Sequence, residues 1–385
     1  MYTYVNFTWH RFSSMKKRHI VLAGWGTGGH VFPIQSMLIH LDTHYAQQID
    51  HVRWYGSRDG LERAIFQQTN CKHISTSFVH SIAGKFRRET RILSWLKNIR
   101  DVFLFLVGIV SAWRFVSQSR VDVVFCKGGF VALPIVLAAA IKRIPIIIHE
   151  SDTRSWLTNR IASWFAKKTF TAFPHVLAKW ESIGQILSDT IVPSDTHTQN
   201  KVLSEIIADY DKKKTYVAVI GGSQWSQRLY QMLADILAYN KTIAKSYIFL
   251  VVWWFLQDNQ SFPFPTKAPI HWLGFCSQQD MSKLLSIADM SITRAGTTSL
   301  AEQQLFNIKK IIVPISRTHD QYANADRYKK NHNDIVIDTK LSNYLETLDL
   351  TLQQHIGYKK LPYNHAVFDS ITTIKDTIAK TILTS

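Results

Sequence analysis

Between residues 24 and 30 the chain reads GWGTGGH, four glycines and then a histidine. Glycines let a backbone close around a phosphate or sugar without side chains in the way. A neutral imidazole beside such a loop can take a proton from a hydroxyl at neutral pH. The loop alone suggests a seat for a phosphate or sugar diphosphate at a helix N-terminus; a tight turn with no ligand is the plainer alternative. Related turns recur in CKGGFVALP (126–134), IGGSQ (220–224) and TRAGTTSLAEQ (293–303). In the last, Thr297, Thr298 and Ser299 fall at an expected helix start, where backbone N–H groups bind phosphate oxygens. Glu302 lies one turn inside, where a carboxylate can accept from ribose hydroxyls. Ordinary helix capping produces the same pattern.

Two familiar readings of the first loop fail. GWGTGG fits G-x-G-x-x-G, but HVRWYGSRDG (51–60) offers no acidic residue at its strand end for a ribose hydroxyl. A P-loop needs Lys and then Ser or Thr where His30 stands. What remains is a glycine turn at a helix N-terminus, suited to a phosphate or sugar diphosphate.

These loops need elements to hold them. RHIVLAG (18–24) reads as a buried strand and FPIQSMLIHLDTHY (32–45) as a helix. HVRWYGS (51–57), VDVVFCKGG (121–129), IPIIIHES (144–151) and KTFTAFP (168–174) read as further strands. The pattern restarts at YVAVIGGSQ (216–224) and continues through SYIFLVV (246–252), APIHWLGF (268–275), ADMSITRAG (288–296) and KKIIVPI (309–315). Strands alternating with helices imply parallel sheets covered on both faces. The expectation is α/β: two Rossmann-like domains, 18–180 and 181–365, with a ligand cleft between the carboxyl ends of their sheets. Residues 1–17 read as an extension, the chain proper starting near Met15. Residues 366–385 read as an amphipathic helix returning to the first domain.

Composition narrows the partners. Among 385 residues, 45 Lys and Arg oppose 28 Asp and Glu, a formal net charge of +17. That suggests a polyanion, either nucleic acid or an anionic membrane surface. Residues 85–120 concentrate the charge, eight Lys and Arg against Glu89 and Asp101. Lys85, Phe86, Arg87, Arg88, Trp95, Lys97 and Arg100 interleave cations with apolar rings, which suits adsorption to an anionic bilayer. No nucleic-acid motif accompanies them. The longest uncharged run, VFLFLVGIVSAW (102–113), is 12 residues, short of the roughly 20 a spanning helix needs. Three scattered cysteines, Cys71, Cys126 and Cys276, show no metal spacing and fit a reducing compartment.

Taken in order and spacing, GWGTGGHVFP, KGGFV, IIIHES, LTNR, VIGGSQ, RAGTTSLAE and HDQYANA resemble the MurG-type peptidoglycan N-acetylglucosaminyltransferases of glycosyltransferase family 28. The resemblance implies a GT-B fold. It implies inverting, metal-independent transfer of N-acetylglucosamine from UDP-GlcNAc to the C4 hydroxyl of lipid I, forming lipid II. No cofactor is implied. Donor contacts are implied for Thr27, Gly28, Gly29, Asp152, Ser188, Ser223, Gln224, Cys276, Arg294, Thr297, Thr298, Ser299, Glu302, Gln321 and Asn324. Glu302 would hold the ribose, and the Cys276 backbone the uracil. Gln321 and Asn324 would hold the sugar. Gly26, Gly128 and Gly129 would form the acceptor loops. His30 would be the general base at the reacting centre, or merely order its loop, and Glu150 the second base candidate, with His149 positioning it or buried. The implied location is peripheral, on the cytoplasmic face of the plasma membrane. Anionic lipids and proteins of cell-wall synthesis and division are the implied partners, and nucleic acid is not. The alternatives are another lipid-acceptor nucleotide-sugar transferase, such as a glycolipid synthase, and a degenerate non-catalytic homologue.

The chain departs from that pattern at several points. Asp152 stands where the family has Asn. Ser188 aligns with an Arg near the donor diphosphate, a lost cation that Arg294 or Lys127 would have to replace. Trp25, Trp156 and Trp225 occupy family glycine positions, in a chain with 12 tryptophans and only 16 glycines. A Cβ is costly at many glycine turns. The pattern fits glycines encoded by UGA and written as tryptophan.

Overall fold

The computed structural model describes residues 16–385, apart from 25, 27, 84–91, 175, 194–197, 222–226, 253–268 and 316–318, and the side chains of 92–98 and 319. In the first half, β1 (Arg18–Gly24), β2 (Ile49–Ser57), β3 (Ser75–Ser81), β4 (Val123–Gly128), β5 (Ile146–Glu150), β6 (Lys168–Thr171) and β7 (Glu181–Ser182) form one sheet. Their order is β3-β2-β1-β4-β5-β6-β7, every pair parallel. The helices are α1 (Gly28–His44), α2 (Leu61–Gln68), α3 (Ile92–Gln118), α4 (Leu133–Ile141) and α5 (Leu157–Ser163). One apolar layer joins α1 to the sheet through Val31, Ile34, Met37, Leu38 and Leu41. The opposite layer joins Ala112 and Val116 of α3, Ile135, Val136, Ala138 and Ala139 of α4 and Ala162 of α5. Covering both faces explains why β4 and β5 open as apolar runs, are buried along their whole length and do not alternate.

The second half repeats the plan. Its elements are α6 (Lys201–Ala208), β8 (Thr215–Ile220), α7 (Gln227–Tyr239), α8 (Lys241–Ser246), β9 (Tyr247–Val252), β10 (Ile270–Gly274), α9 (Gln278–Ile287), β11 (Met290–Thr293), α10 (Thr297–Leu305), β12 (Lys309–Ile312), α11 (His319–His332), β13 (Ile335–Val336) and α12 (Tyr344–Gln354). The parallel order is β10-β9-β8-β11-β12-β13. In both sheets the order reverses between two central strands, β1 and β4 in the first, β8 and β11 in the second. Loops leaving the carboxyl ends of such strands diverge and open a crevice. The glycine turns after β1 and β4, and the turn after β11, lie at these points.

Two elements tie the halves together. The first sheet runs past residue 180, because β7 pairs with β6 and Ile186 joins the first core. The last helix, α13 (Asp369–Thr384), places Ile378, Ala379, Ile382 and Leu383 in that first core. Phe368 and Ile371 sit in the second. Lys375 is wholly buried on this helix; its ammonium pairs with Asp189 and lies 3.5 Å from Ser36 Oγ.

Candidate active site

The N-terminal wall starts at β1. The chain turns through Gly26, at φ 110°, into α1, which carries His30 in its first turn. His30 Nδ1 is buried without a hydrogen-bond partner among the described residues. Burial pushes the imidazole down to about 4 against the pull of Asp152, with Lys127 adding to the depression. The ring is therefore neutral at physiological pH, the form a general base needs.

β4 delivers Lys127, Gly128 and Gly129. The glycines have φ of 106° and 90°, and a Cβ on Gly128 would lie 2.9 Å from the amide of Asn159. Only glycine permits this turn to pass so close to α5.

β5 ends in Glu150, which is wholly buried. Its Oε1 accepts from Asp152 N at 3.0 Å, and its Oε2 from Trp156 N at 3.2 Å and Asn159 Nδ2 at 2.9 Å. Burial and the Asp152 charge raise its pKa to about 7. Three donors on one carboxylate shape the 150–156 turn, and that turn aims Asp152 across the cleft. Asp152 Oδ1 accepts from Asn324 Nδ2 at 3.0 Å and Thr297 Oγ1 at 3.3 Å, and its Oδ2 accepts from Trp156 Nε1 at 2.8 Å.

The C-terminal wall is the start of α10 with the first turns of α11. Thr298 Oγ1 reaches Gly29 O at 3.4 Å, so the α10 N-terminus abuts the first glycine loop. Ser299 Oγ accepts from Gln303 Nε2 at 3.0 Å. No described residue donates to the Glu302 carboxylate, and burial alone raises its pKa to about 8. A buried carboxyl group left in this state is suited to ligand hydroxyls. Arg294 donates from Nη1 to Val313 O at 3.1 Å, and burial lowers its pKa to about 10. Gln321 Oε1 accepts from Ala295 N at 3.3 Å and Ile315 N at 3.1 Å, so it holds two loops together.

The remaining expected residues make other contacts or fall outside the described residues. Ser188 caps the short 3₁₀ turn after the linker, accepting from Thr190 N. Cys276 turns its thiol into the second core, with Sγ 4.0 Å from Asn200 Nδ2, leaving its backbone for a ligand. Thr27, Ser223, Gln224, Trp25 and Trp225 lie outside the described residues, as do Lys85, Phe86, Arg87 and Arg88. Trp95 and Lys97 fall on α3 without described side chains, and Arg100 is exposed beside Asp101. Trp156 sits at φ −66° and ψ 147°, which any residue adopts. The strain argument for glycine does not reach that position.

The sequence reading missed the rest of the interdomain contact. Thr153 donates to Asn324 Oδ1 from N at 3.1 Å and from Oγ1 at 2.8 Å. Phe173, after β6, packs edge-on to Tyr328 and lies 5.0 Å under the Arg327 guanidinium of α11. Nothing in the local sequence of these residues signals a partner more than 150 positions away. Asn159, inside LTNR, carried only a motif signal.

Comparison with known proteins agrees with this architecture. The glycosyltransferase family 28 N-terminal domain matches residues 20–171, and the family 28 C-terminal domain matches residues 216–367. The UDP-N-acetylglucosamine–N-acetylmuramyl-(pentapeptide) pyrophosphoryl-undecaprenol N-acetylglucosamine transferase of Clostridium perfringens strain SM101 is 30% identical over 326 residues, covering 84% of this chain and 86% of that protein. The Clostridium tetani protein of the same name is 26% identical over 371 residues, covering 94% and 98%. Among solved structures, Acinetobacter baumannii MurG superposes with a TM-score of 0.66 at 22% identity, over 96% of this chain and 100% of that one. The spinosyn rhamnosyltransferase SpnG bound to spinosyn aglycone gives 0.61 at 11% identity, over 95% and 99%. With both domains matched in order across most of its length, the chain belongs to glycosyltransferase family 28.

Proposed function

We propose that the protein transfers N-acetylglucosamine from UDP-GlcNAc to the C4 hydroxyl of lipid I, with inversion and without a metal, giving lipid II. The observation that carries this reading is the meeting of His30, Asp152 and Asn324 at the N-terminus of α10. A neutral base and a helix N-terminus then face one cleft. His30 takes the proton of the acceptor hydroxyl as its oxygen bonds to the anomeric carbon. The bond from that carbon to the diphosphate oxygen breaks, and UDP leaves with the electron pair. Backbone N–H groups at Thr297–Ser299 stabilise the departing charge. Glu302 receives the ribose hydroxyls, and Glu150 holds the turn that presents Asp152.

The acceptor side faces a bilayer in this reading. On α3, Ile99, Val102, Phe103, Leu106, Val110 and Trp113 form an exposed apolar stripe at helical spacing, Phe103 at 65% exposure. Arg100 and Arg114 flank it, and Lys142 Nζ lies 5.2 Å from the Trp113 ring. No helix among the described residues is long and apolar enough to cross a membrane. Such a stripe suits peripheral adsorption to anionic lipid, on the face where a nucleotide sugar is supplied.

The test is incubation of UDP-GlcNAc and lipid I with the chain as written and with its Trp25→Gly, Trp225→Gly form. Lipid II formation, unchanged by EDTA, is expected. Transfer to diacylglycerol alone would point to a glycolipid synthase, and donor binding without transfer to a non-catalytic homologue.

A further inference from the structure

Lys127 is a wholly buried lysine at the carboxyl end of β4, directly before the Gly128–Gly129 turn. Its ammonium donates to His149 Nδ1 at 2.7 Å and to Ser151 Oγ. His149 Nε2 donates in turn to Gly184 O at 2.8 Å, which fixes the neutral tautomer with Nδ1 as acceptor. The ammonium thus rests on two neutral groups, and no described carboxylate pairs with it directly. Burying a cation this way is costly, and an apolar side chain of equal length would fill the same space more stably. The charge calls for a use that packing does not supply.

The surroundings supply one. The titratable groups around Lys127 are Cys126 on its own strand, His149 and Glu150 on β5, Asp152 on the following turn and His30 on α1. Both histidines are held neutral by burial. That leaves two carboxylates, Asp152 and Glu150, the latter only partly ionised at neutral pH because its pKa is about 7, in the wall of a cleft whose substrates both carry diphosphates. Two such charges repel those substrates unless something offsets them.

We propose that Lys127 is a positioning residue whose buried ammonium offsets the Glu150 and Asp152 charges, so that a nucleoside diphosphate sugar can settle against the Asp152 turn and the α10 N-terminus. This rests on the transfer reading above. Lys127 touches no substrate; it acts through Ser151 and the field at Asp152.

Calorimetric titration of UDP-GlcNAc and UDP into the full chain tests it, using wild type, Lys127→Met, Asp152→Asn and the double variant. Lys127→Met is expected to weaken UDP-GlcNAc binding about tenfold, the scale of one charge roughly 12 Å away at an effective dielectric near 20. Its melting temperature should equal or exceed that of wild type. Adding Asp152→Asn should recover most of the lost affinity, because it removes the charge that Lys127 offsets. Lys127→Gln serves if the methionine form does not fold. Unchanged affinity in the Lys127 variants, or a double variant no tighter than Lys127→Met, overturns the proposal. A lower melting temperature with unchanged affinity per folded molecule does so too, assigning the lysine to structure. Wild type that binds neither UDP-GlcNAc nor UDP overturns the transfer reading itself.

Discussion

Asn324 and Asp152 meet across the cleft, Nδ2 donating to Oδ1 at 3.0 Å, although 172 positions separate them. Asn324 also donates to Ala295 O and accepts twice from Thr153, so a single side chain joins the first domain to the second. Asn324→Ala leaves buried donors and a carboxylate oxygen without this partner, a loss of roughly 1.5–3 kcal/mol. Turnover at saturating acceptor is expected to fall about 10- to 100-fold with a rise in donor KM. Steady-state kinetics with UDP-GlcNAc varied checks it.

Glu302 trades stability for binding. Its folded-state pKa lies near 8, above the ordinary 4.5. The folded form therefore holds the proton more tightly than the unfolded one, and this group's contribution to stability declines as pH rises from 4.5 to 8. Glu302→Gln removes that decline and should raise the melting temperature at pH 8 by a few degrees. The same variant should weaken donor binding about tenfold or more. Paired melting and titration measurements at pH 6 and pH 8 decide it.

His30 titrates in the opposite sense. Its folded pKa, near 4, lies below the ordinary 6.5, so the unfolded chain binds more protons between those values. Stability from this group drops as pH falls through that window. Activity limited by the neutral ring should hold to about pH 5, below the usual histidine break. His30→Ala should reduce kcat by about 10²–10⁴-fold and flatten the acid loss of stability. A pH–rate profile ending near 6.5 would remove His30 as the base.

The α3 stripe is exposed, so changing it should leave the fold intact. The double variant Phe103→Asp, Leu106→Asp is expected to lose at least tenfold in affinity for vesicles containing anionic lipid, with an unchanged melting temperature. Sedimentation with vesicles containing or lacking phosphatidylglycerol measures it.

Tandem mass spectrometry of the native protein addresses the tryptophans. Glycine masses are expected at 25, 156 and 225; tryptophan at 25 and 225 rejects the UGA reading. At Trp156 the backbone imposes no preference, and the indole N–H is used by Asp152.

Much of this fold could be read along the chain because a strand buried on both faces is a short apolar run ended by glycine. β1, β4 and β8 have that form, and β5 begins as such a run but ends in His149 and Glu150. β7 and β13 are two residues each, too short to show any period. β3, STSFVHS, is a half-buried edge strand of hydroxyl residues that resembles a loop. The site divides the same way. Its glycines and α10 start are local features, and they were legible. The Asp152–Asn324 bond and the Phe173–Arg327 contact exist only once two sheets face each other, and no local pattern encodes them.

The crossing of α13 constrains how the cleft can open. Chain passes between the domains at the Ile183–Ser188 linker and again near Phe368, so they are joined by two tethers. Ser36 Oγ, which donates to Leu187 O, and the pairing of buried Lys375 with the exposed Asp189 fasten the tethers near one another. Two nearby attachments define an axle: they permit rotation about the line joining them and oppose twist about the cleft's long direction. Opening should therefore behave as a door on a fixed spindle, always returning the α10 N-terminus to the same face of His30.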